Sequence, residues 1–292
     1  NKHELNASVN FSNNKINLEF YNNFGFEKYL KINIPKLKQS LDINFDPESN
    51  LENLSGELKL KFFESILLLN FKGKDKFKIS RSYLRNKFLN SKIDGEIYFK
   101  DQFNFNLNLD INQISLRKFL LSYYPVLQRG GLSKKINGKL NILIKNSSSL
   151  FGKIKNTKLD LIFENGDIRI ANASSIFPEN SKLESNMLIS LNSSKPKVEF
   201  NIRFSAKNMK KYIRKFGVYD SDKNQTSVYA NGVIDLNKNK IKFIKIIRNN
   251  NEKVGRDEIA AIENAFNRLV INEGILGVFD FFKYKKFLQE TY

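Results

Sequence analysis

Long stretches of this chain alternate apolar and polar residues with a period of two, a pattern that fits strands and little else. Phe103, Phe105, Leu107, Leu109 and Ile111 alternate with Asn104, Asn106, Asn108 and Asp110. Val198, Phe200, Ile202 and Phe204 alternate with Glu199, Asn201 and Arg203. Leu140, Ile142 and Ile144 follow the same rule, as do Leu159, Leu161 and Phe163. Successive side chains of a strand point to opposite faces, so each run predicts a strand with one apolar and one wet face. At ~3.4 Å per residue the run from Phe103 to Ile111 would extend roughly 30 Å, longer than a typical strand. Asn165-Gly166-Asp167 and Asn237-Lys238-Asn239 separate such runs and predict tight hairpins, hence an antiparallel meander.

The pattern also repeats. A glycine often opens a strand, as in Gly56-Glu-Leu-Lys-Leu, Gly95-Glu-Ile-Tyr-Phe, Gly138-Lys-Leu-Asn-Ile and Gly232-Val-Ile-Asp-Leu. Leu116, Phe119, Leu120 and Tyr123 carry the helical offsets of Met209, Tyr212, Ile213 and Phe216, and the two sets lie 93 residues apart, as do Leu107 and Phe200 ahead of them. Ser115 and Asn208 suit N-caps, and Pro125 and Gly217 suit stops. Each unit, about 95–145 and 186–240, reads as strand, short amphipathic helix and return strand, the kind of duplication that builds elongated β architectures. The tail differs. Ile259, Ile262, Phe266, Leu269 and Val270 follow helical spacing from Asp257 to about Ile271, and the Phe- and Lys-rich end from Ile275 to Lys286 predicts a second helix or a final strand, able to cap the sheet or to sit at a membrane interface. The expected fold is therefore mainly β: long antiparallel repeated strands forming a curved sheet or groove, or an elongated sandwich, over 1–255, with short capping helices and a C-terminal helical cap over 256–292.

Residues suited to chemistry are scarce. The chain has one histidine, His3, and no cysteine, so neither a Ser-His-Asp or Cys-His arrangement nor a thiolate metal site is expected. Asp220-Ser-Asp222-Lys-Asn224 begins like a calcium loop, but Gln225 stands where its glycine belongs and Asn231 where its closing glutamate belongs. No phosphate-binding loop or nucleophile elbow occurs. The reading is a non-enzyme with no cofactor and no metal. The net charge of +19 suits nucleic acid or an anionic membrane surface, yet the lysines are scattered in the manner of an AT-rich genome's product. Nucleic-acid readers need aromatics among basic residues on an exposed face; here the 26 Phe and 11 Tyr alternate more with Asn, which argues against such a partner.

A one-sided sheet must hide its apolar side. A second sheet, closure into a barrel, or a trough holding acyl chains would each do so. Strand length, repetition and the Phe-rich face favour the trough, with Phe103, Phe105, Leu107, Leu109, Leu140, Ile142, Ile144, Leu161, Phe163, Val198, Phe200, Ile202 and Phe204 as lipid-contacting positions.

From about Gly95 to Leu236 the chain resembles the AsmA-like family of bacterial envelope proteins, relatives of TamB and of other bridge-like lipid carriers. The resemblance rests on the long alternating strand, the segment Ile114-Ser-Leu-Arg-Lys-Phe-Leu120, the Gly138 return strand, and Leu159-Asp-Leu-Ile-Phe-Glu-Asn-Gly-Asp-Ile-Arg-Ile170 with its glycine hairpin. It implies a periplasmic β-groove module of a Gram-negative bacterium that binds or conducts phospholipid, contributes to outer-membrane homeostasis, and is held at the inner membrane by an N-terminal anchor not visible here, so that this chain would be a C-terminal portion. It supplies no catalytic residues. Envelope proteins are implied as further partners. The alternatives are a structural or adhesive β protein contacting proteins through strand edges and, third, a hydrolase of envelope polymers.

Overall fold

A computed structural model of the chain describes residues 2–11, 14–23, 26–62, 64–99, 102–115, 118, 134–149, 152–219, 226–249, 251–270 and 280–291. The chain divides into two compact units, Asn1–Gln113 and Ile114–Tyr292. The boundary drawn from sequence at 255 lies inside the second unit, where the tail helices pack on the last strands.

The first unit is an antiparallel meander of β1 (Lys2–Phe11), β2 (Asn14–Asn23), β3 (Glu27–Ile34), β4 (Gln39–Phe45), β5 (Leu54–Phe62), β6 (Ser65–Gly73), β7 (Lys76–Arg85), β8 (Leu89–Tyr98) and β9 (Phe103–Ser115), each pairing with its neighbour in sequence. The register aligns apolar side chains into rows across the strands. One row runs Leu5, Phe20, Leu30, Ile43, Leu58, Leu69. The next runs Ala7, Leu18, Ile32, Leu41, Leu60, Leu67, Leu84. A slip of one residue would invert every face, so this alignment is what fixes the pairing. The opposite face carries cross-strand partners such as Asp42 with Lys59.

The second unit repeats the design with β10 (Ile136–Ser149), β11 (Gly152–Glu164), β12 (Asp167–Phe177), β13 (Ser181–Ser190), β14 (Lys197–Ser205), β15 (Ser227–Asp235), β16 (Lys240–Arg248) and the short β17 (Glu252–Lys253). Its hairpins form where turn residues demanded them. Asn165 (φ 54°) and Gly166 (φ 85°) make the two-residue turn between β11 and β12, both in the left-handed region that twisted hairpins require. Asp235 accepts hydrogen bonds from the amides of Asn237 and Lys238 to close the turn before β16.

Among the described residues this unit has the helices α1 (Met209–Arg214), α2 (Arg256–Val270) and α3 (Phe281–Thr291). The tail end left open by sequence is thus helical in α3. Six residues are too few for a stable isolated helix, which needs roughly 12–15. α1 is held by its Asn208 cap, whose Oδ1 accepts the Lys211 amide at 2.8 Å, and by burial of Met209, Tyr212, Ile213 and Phe216 in one cluster with Ala206, Val218 and Leu288. Apart from Lys118, the Leu116–Tyr123 helix expected as its counterpart lies outside the described residues, as does the Asp220–Asn224 loop.

α2 closes the edge of the sheet. The Asn267 carboxamide accepts the Ile241 amide at 2.8 Å and donates to the Ile241 carbonyl at 3.3 Å, and Glu263 accepts the Phe243 amide. Four helical residues advance ~6 Å and two strand residues ~6.8 Å, so side chains at Glu263 and Asn267 reach alternate residues of β16 as another strand would. The exposed ladder of an edge strand is thereby blocked.

Candidate apolar groove

On the apolar face of the first unit, side chains from five consecutive strands and the residue after the last of them converge on one cavity of about 230 Å³. It is lined by Ile43 and Phe45 of β4, Leu54 and Leu58 of β5, Leu69 and Phe71 of β6, Phe77 and Ile79 of β7, Ile97 of β8, and Phe99. A flat sheet cannot bring five strands around one space, so the face is concave there.

Two glycines explain the bend. Gly56 sits between Phe45 and Phe71 in the register. A Cβ at Gly56 would lie 2.2 Å from the Asn44 carbonyl oxygen and 2.9 Å from the Phe45 Cα, so the neighbouring backbone crosses the space a side chain would occupy. Gly95 repeats this, with φ 134° and a Cβ position 2.2 Å from the Asn106 carbonyl oxygen. Glycine kinks of this kind curve sheets. They also clear the floor, so that the rings of Phe45 and Phe71 meet edge to face over Gly56 with centroids 6.1 Å apart.

That contact begins an aromatic rim. Phe71 meets Phe77 at 6.0 Å, Phe77 meets Phe99 at 5.8 Å, Phe99 meets Phe103 at 5.3 Å and Phe103 meets Phe105 at 5.8 Å. Such pairs contribute about 0.5–1.5 kcal/mol each beyond area burial and hold the rim in shape. Lys28 caps its far end, its ammonium 4.8 Å from the Phe45 ring centre.

The predicted contact residues divide between the units. Phe103, Phe105, Leu107 and Leu109 lie half-buried on this face against Ile79, Ile93 and Ile97. In the second unit Leu140 pairs with Leu161, Ile142 with Leu159 and Gly138 with Phe163; of the predicted positions there, Leu140, Ile142, Leu161 and Phe163 are half-buried and Ile144 is buried. β14 is different. Phe200 is only 4% exposed, at 6.0 Å from Phe243, which in turn meets Phe266 of α2. Phe204 packs on Phe177 and on Tyr212 of α1, while Val198 and Ile202 are half-buried beside Ile234 and Ala230. Phe200 and Phe204 therefore lie in a core covered by helices.

The lining residues from Ile43 to Phe99 were not among the predicted contacts. Their signal was present in the Gly56-Glu-Leu-Lys-Leu and Gly95-Glu-Ile-Tyr-Phe segments, but the run Ile66-Leu67-Leu68-Leu69 blurs the alternation on β6.

Among the described residues, no cluster of His, Asp and Glu is arranged to hold a metal ion, and no helix is long and apolar enough to cross a membrane. Comparison with protein families, with curated proteins and with solved structures returns no match.

Proposed function

We propose that the chain is a non-catalytic β-groove module that holds phospholipid acyl chains along the apolar face of its first unit. The observation that carries this reading is the cavity beside Gly56, lined only by aliphatic and aromatic side chains, in a face that no α-helix or second sheet of the same unit covers among the described residues. Its volume of about 230 Å³ falls below the ~300–1,000 Å³ of sites that enclose a whole drug-sized ligand. It suits a stretch of chain that continues along the apolar rows on either side. Six strands spaced ~4.8 Å apart carry a row of roughly 24 Å, against about 15 Å for the single leaflet's share of a bilayer's hydrocarbon. Each methylene buried would contribute about 0.8 kcal/mol. The resemblance to AsmA-like proteins supports placing this role in the periplasm of a Gram-negative bacterium, in lipid transport or outer-membrane homeostasis, with phospholipid as the partner.

The test uses neighbours on opposite faces. A photoreactive benzophenone residue is placed at Leu58, on the apolar face, or at Lys59, on the wet face, and the purified chain is irradiated and analysed by mass spectrometry. Phospholipid adducts at Leu58 and none at Lys59 support the groove. No lipid at either position, or equal labelling at both, overturns it.

A further inference from the structure

We infer that the start of α3, together with α1, is a docking surface for anionic membranes. Phe282 is 80% exposed, Phe281 37% and Tyr219 67%, unusual for aromatics beside a cluster that buries Tyr212, Phe216 and Leu288. The site is built rather than frayed. Asp280 accepts the amides of Phe282 at 2.9 Å and Lys283 at 3.1 Å, capping the helix. Phe281 leans on Phe216 at 6.1 Å, and Tyr284 meets the same ring at 5.2 Å. The first turn of α3 is thus fixed while Phe282 projects outward.

The same two helices are rich in basic residues. Lys207, Lys210, Lys211, Arg214 and Lys215 lie on or beside α1, and Lys283, Lys285 and Lys286 on the first turns of α3. Glu179, bound by Lys211 and Lys215, the Asp280 cap, and Glu290, which lines a cavity with Lys283 and Lys286, are the carboxylates among them in the described residues. The Lys285 side chain lies over Gly217, where a Cβ would come within 3.0 Å of its ammonium, so the two basic helices share one surface.

The chemistry selects the partner. Exposed aromatics mark interaction sites, but lysine is depleted at protein–protein interfaces. Phe in a ring of Lys and Arg is the signature of a helix lying in the head-group region of an anionic bilayer. Phe281 and Phe282 meet edge to face at 82°, which presents no parallel platform for stacking bases. This surface stands whether or not the groove holds lipid, and different variants test the two.

The chain contains no Trp, so Phe282→Trp introduces a single reporter. Vesicles of phosphatidylglycerol mixed with phosphatidylcholine should blue-shift its emission, vesicles of phosphatidylcholine alone should not, and high salt should reverse the shift. In co-flotation, Phe282→Ser should weaken anionic-vesicle binding about ten- to a hundredfold. Lys285→Glu and Lys286→Glu should each weaken it about fivefold or more. Circular dichroism should leave all three folded, and benzophenone labelling at Leu58 should stay unchanged in them. No blue shift, undiminished binding by Phe282→Ser, or an equal shift with a single-stranded oligonucleotide overturns the proposal.

Discussion

Replacing Gly56 with alanine tests the geometry of the groove. The added methyl would stand 2.2 Å from the Asn44 carbonyl oxygen and 2.9 Å from the Phe45 Cα, both backbone atoms that move only if β4 moves. Overpacking of this kind costs about 1–3 kcal/mol. Displacing β4 also parts Phe45 from Phe71, a pair worth about 0.5–1.5 kcal/mol. Together these predict a loss of roughly 2–4 kcal/mol for the first unit. With a urea slope of about 2 kcal/mol/M, the midpoint falls by roughly 1–2 M. Far-UV circular dichroism during urea titration reads this directly. Gly255→Ala is the control: no atom lies within 4 Å of its Cβ position, and the exchange should shift stability by under about 1 kcal/mol through unfolded-state entropy and capping. If Gly56→Ala melts with Gly255→Ala, the close crossing of β4 is not what shapes the floor, and the account of the curvature fails.

Phe200→Ala, which removes a buried ring from the second unit, should cost about 3–5 kcal/mol, whereas Leu5→Ala at a position 56% exposed should change stability by under about 0.5 kcal/mol; chemical denaturation of both checks the contrast. Asn267→Ala leaves the amide and carbonyl of Ile241 without their helix partner, for a loss of about 1–3 kcal/mol and faster hydrogen exchange of that amide by NMR. The ammonium groups of Lys215 and then Lys211, each 2.9 Å from the Glu179 carboxylate, hold it below the usual carboxylate range. A depressed folded-state value means that this tether is fully present above the ordinary range and is lost as pH falls through the depressed one. Exchange of α1 amides should then rise and vesicle binding strengthen as two lysines are released, and Glu179→Gln should show both at neutral pH.

Strands, hairpins and tail helices were legible because their signals are local. Asn165-Gly166 can only turn tightly, and Asn208 ahead of Met209 can only cap. The edge closure by α2 was not legible, because Glu263 and Asn267 carry no mark of their partners; spacing of four residues on a helix becomes meaningful only once β16 is seen to need donors and acceptors two residues apart. The glycines lay between these cases. Their recurrence ahead of alternating runs was visible, but Gly95 and Gly232 fall inside β8 and β15 instead of opening them, and at two of the four the reason is a cross-strand relation, glycine set between two phenylalanines: Phe45 and Phe71 around Gly56, Phe200 and Phe243 around Gly232.

The same relation shows why alternation cannot separate a core from a groove. Around Gly56 and around Gly232, two rings close edge to face over a missing side chain, with centroids 6.1 Å and 6.0 Å apart. At Gly232 a third ring, Phe266 of α2, lands on Phe243, and the face becomes interior. At Gly56 the next rings are Phe77 and Phe99 of the same sheet, so the cluster extends along the rim instead of being roofed. Identical strand patterns thus give two outcomes, and the helix that decides between them lies in sequence beyond the strands it covers. A period of two reports that a face is apolar; what covers that face is set by elements elsewhere in the chain.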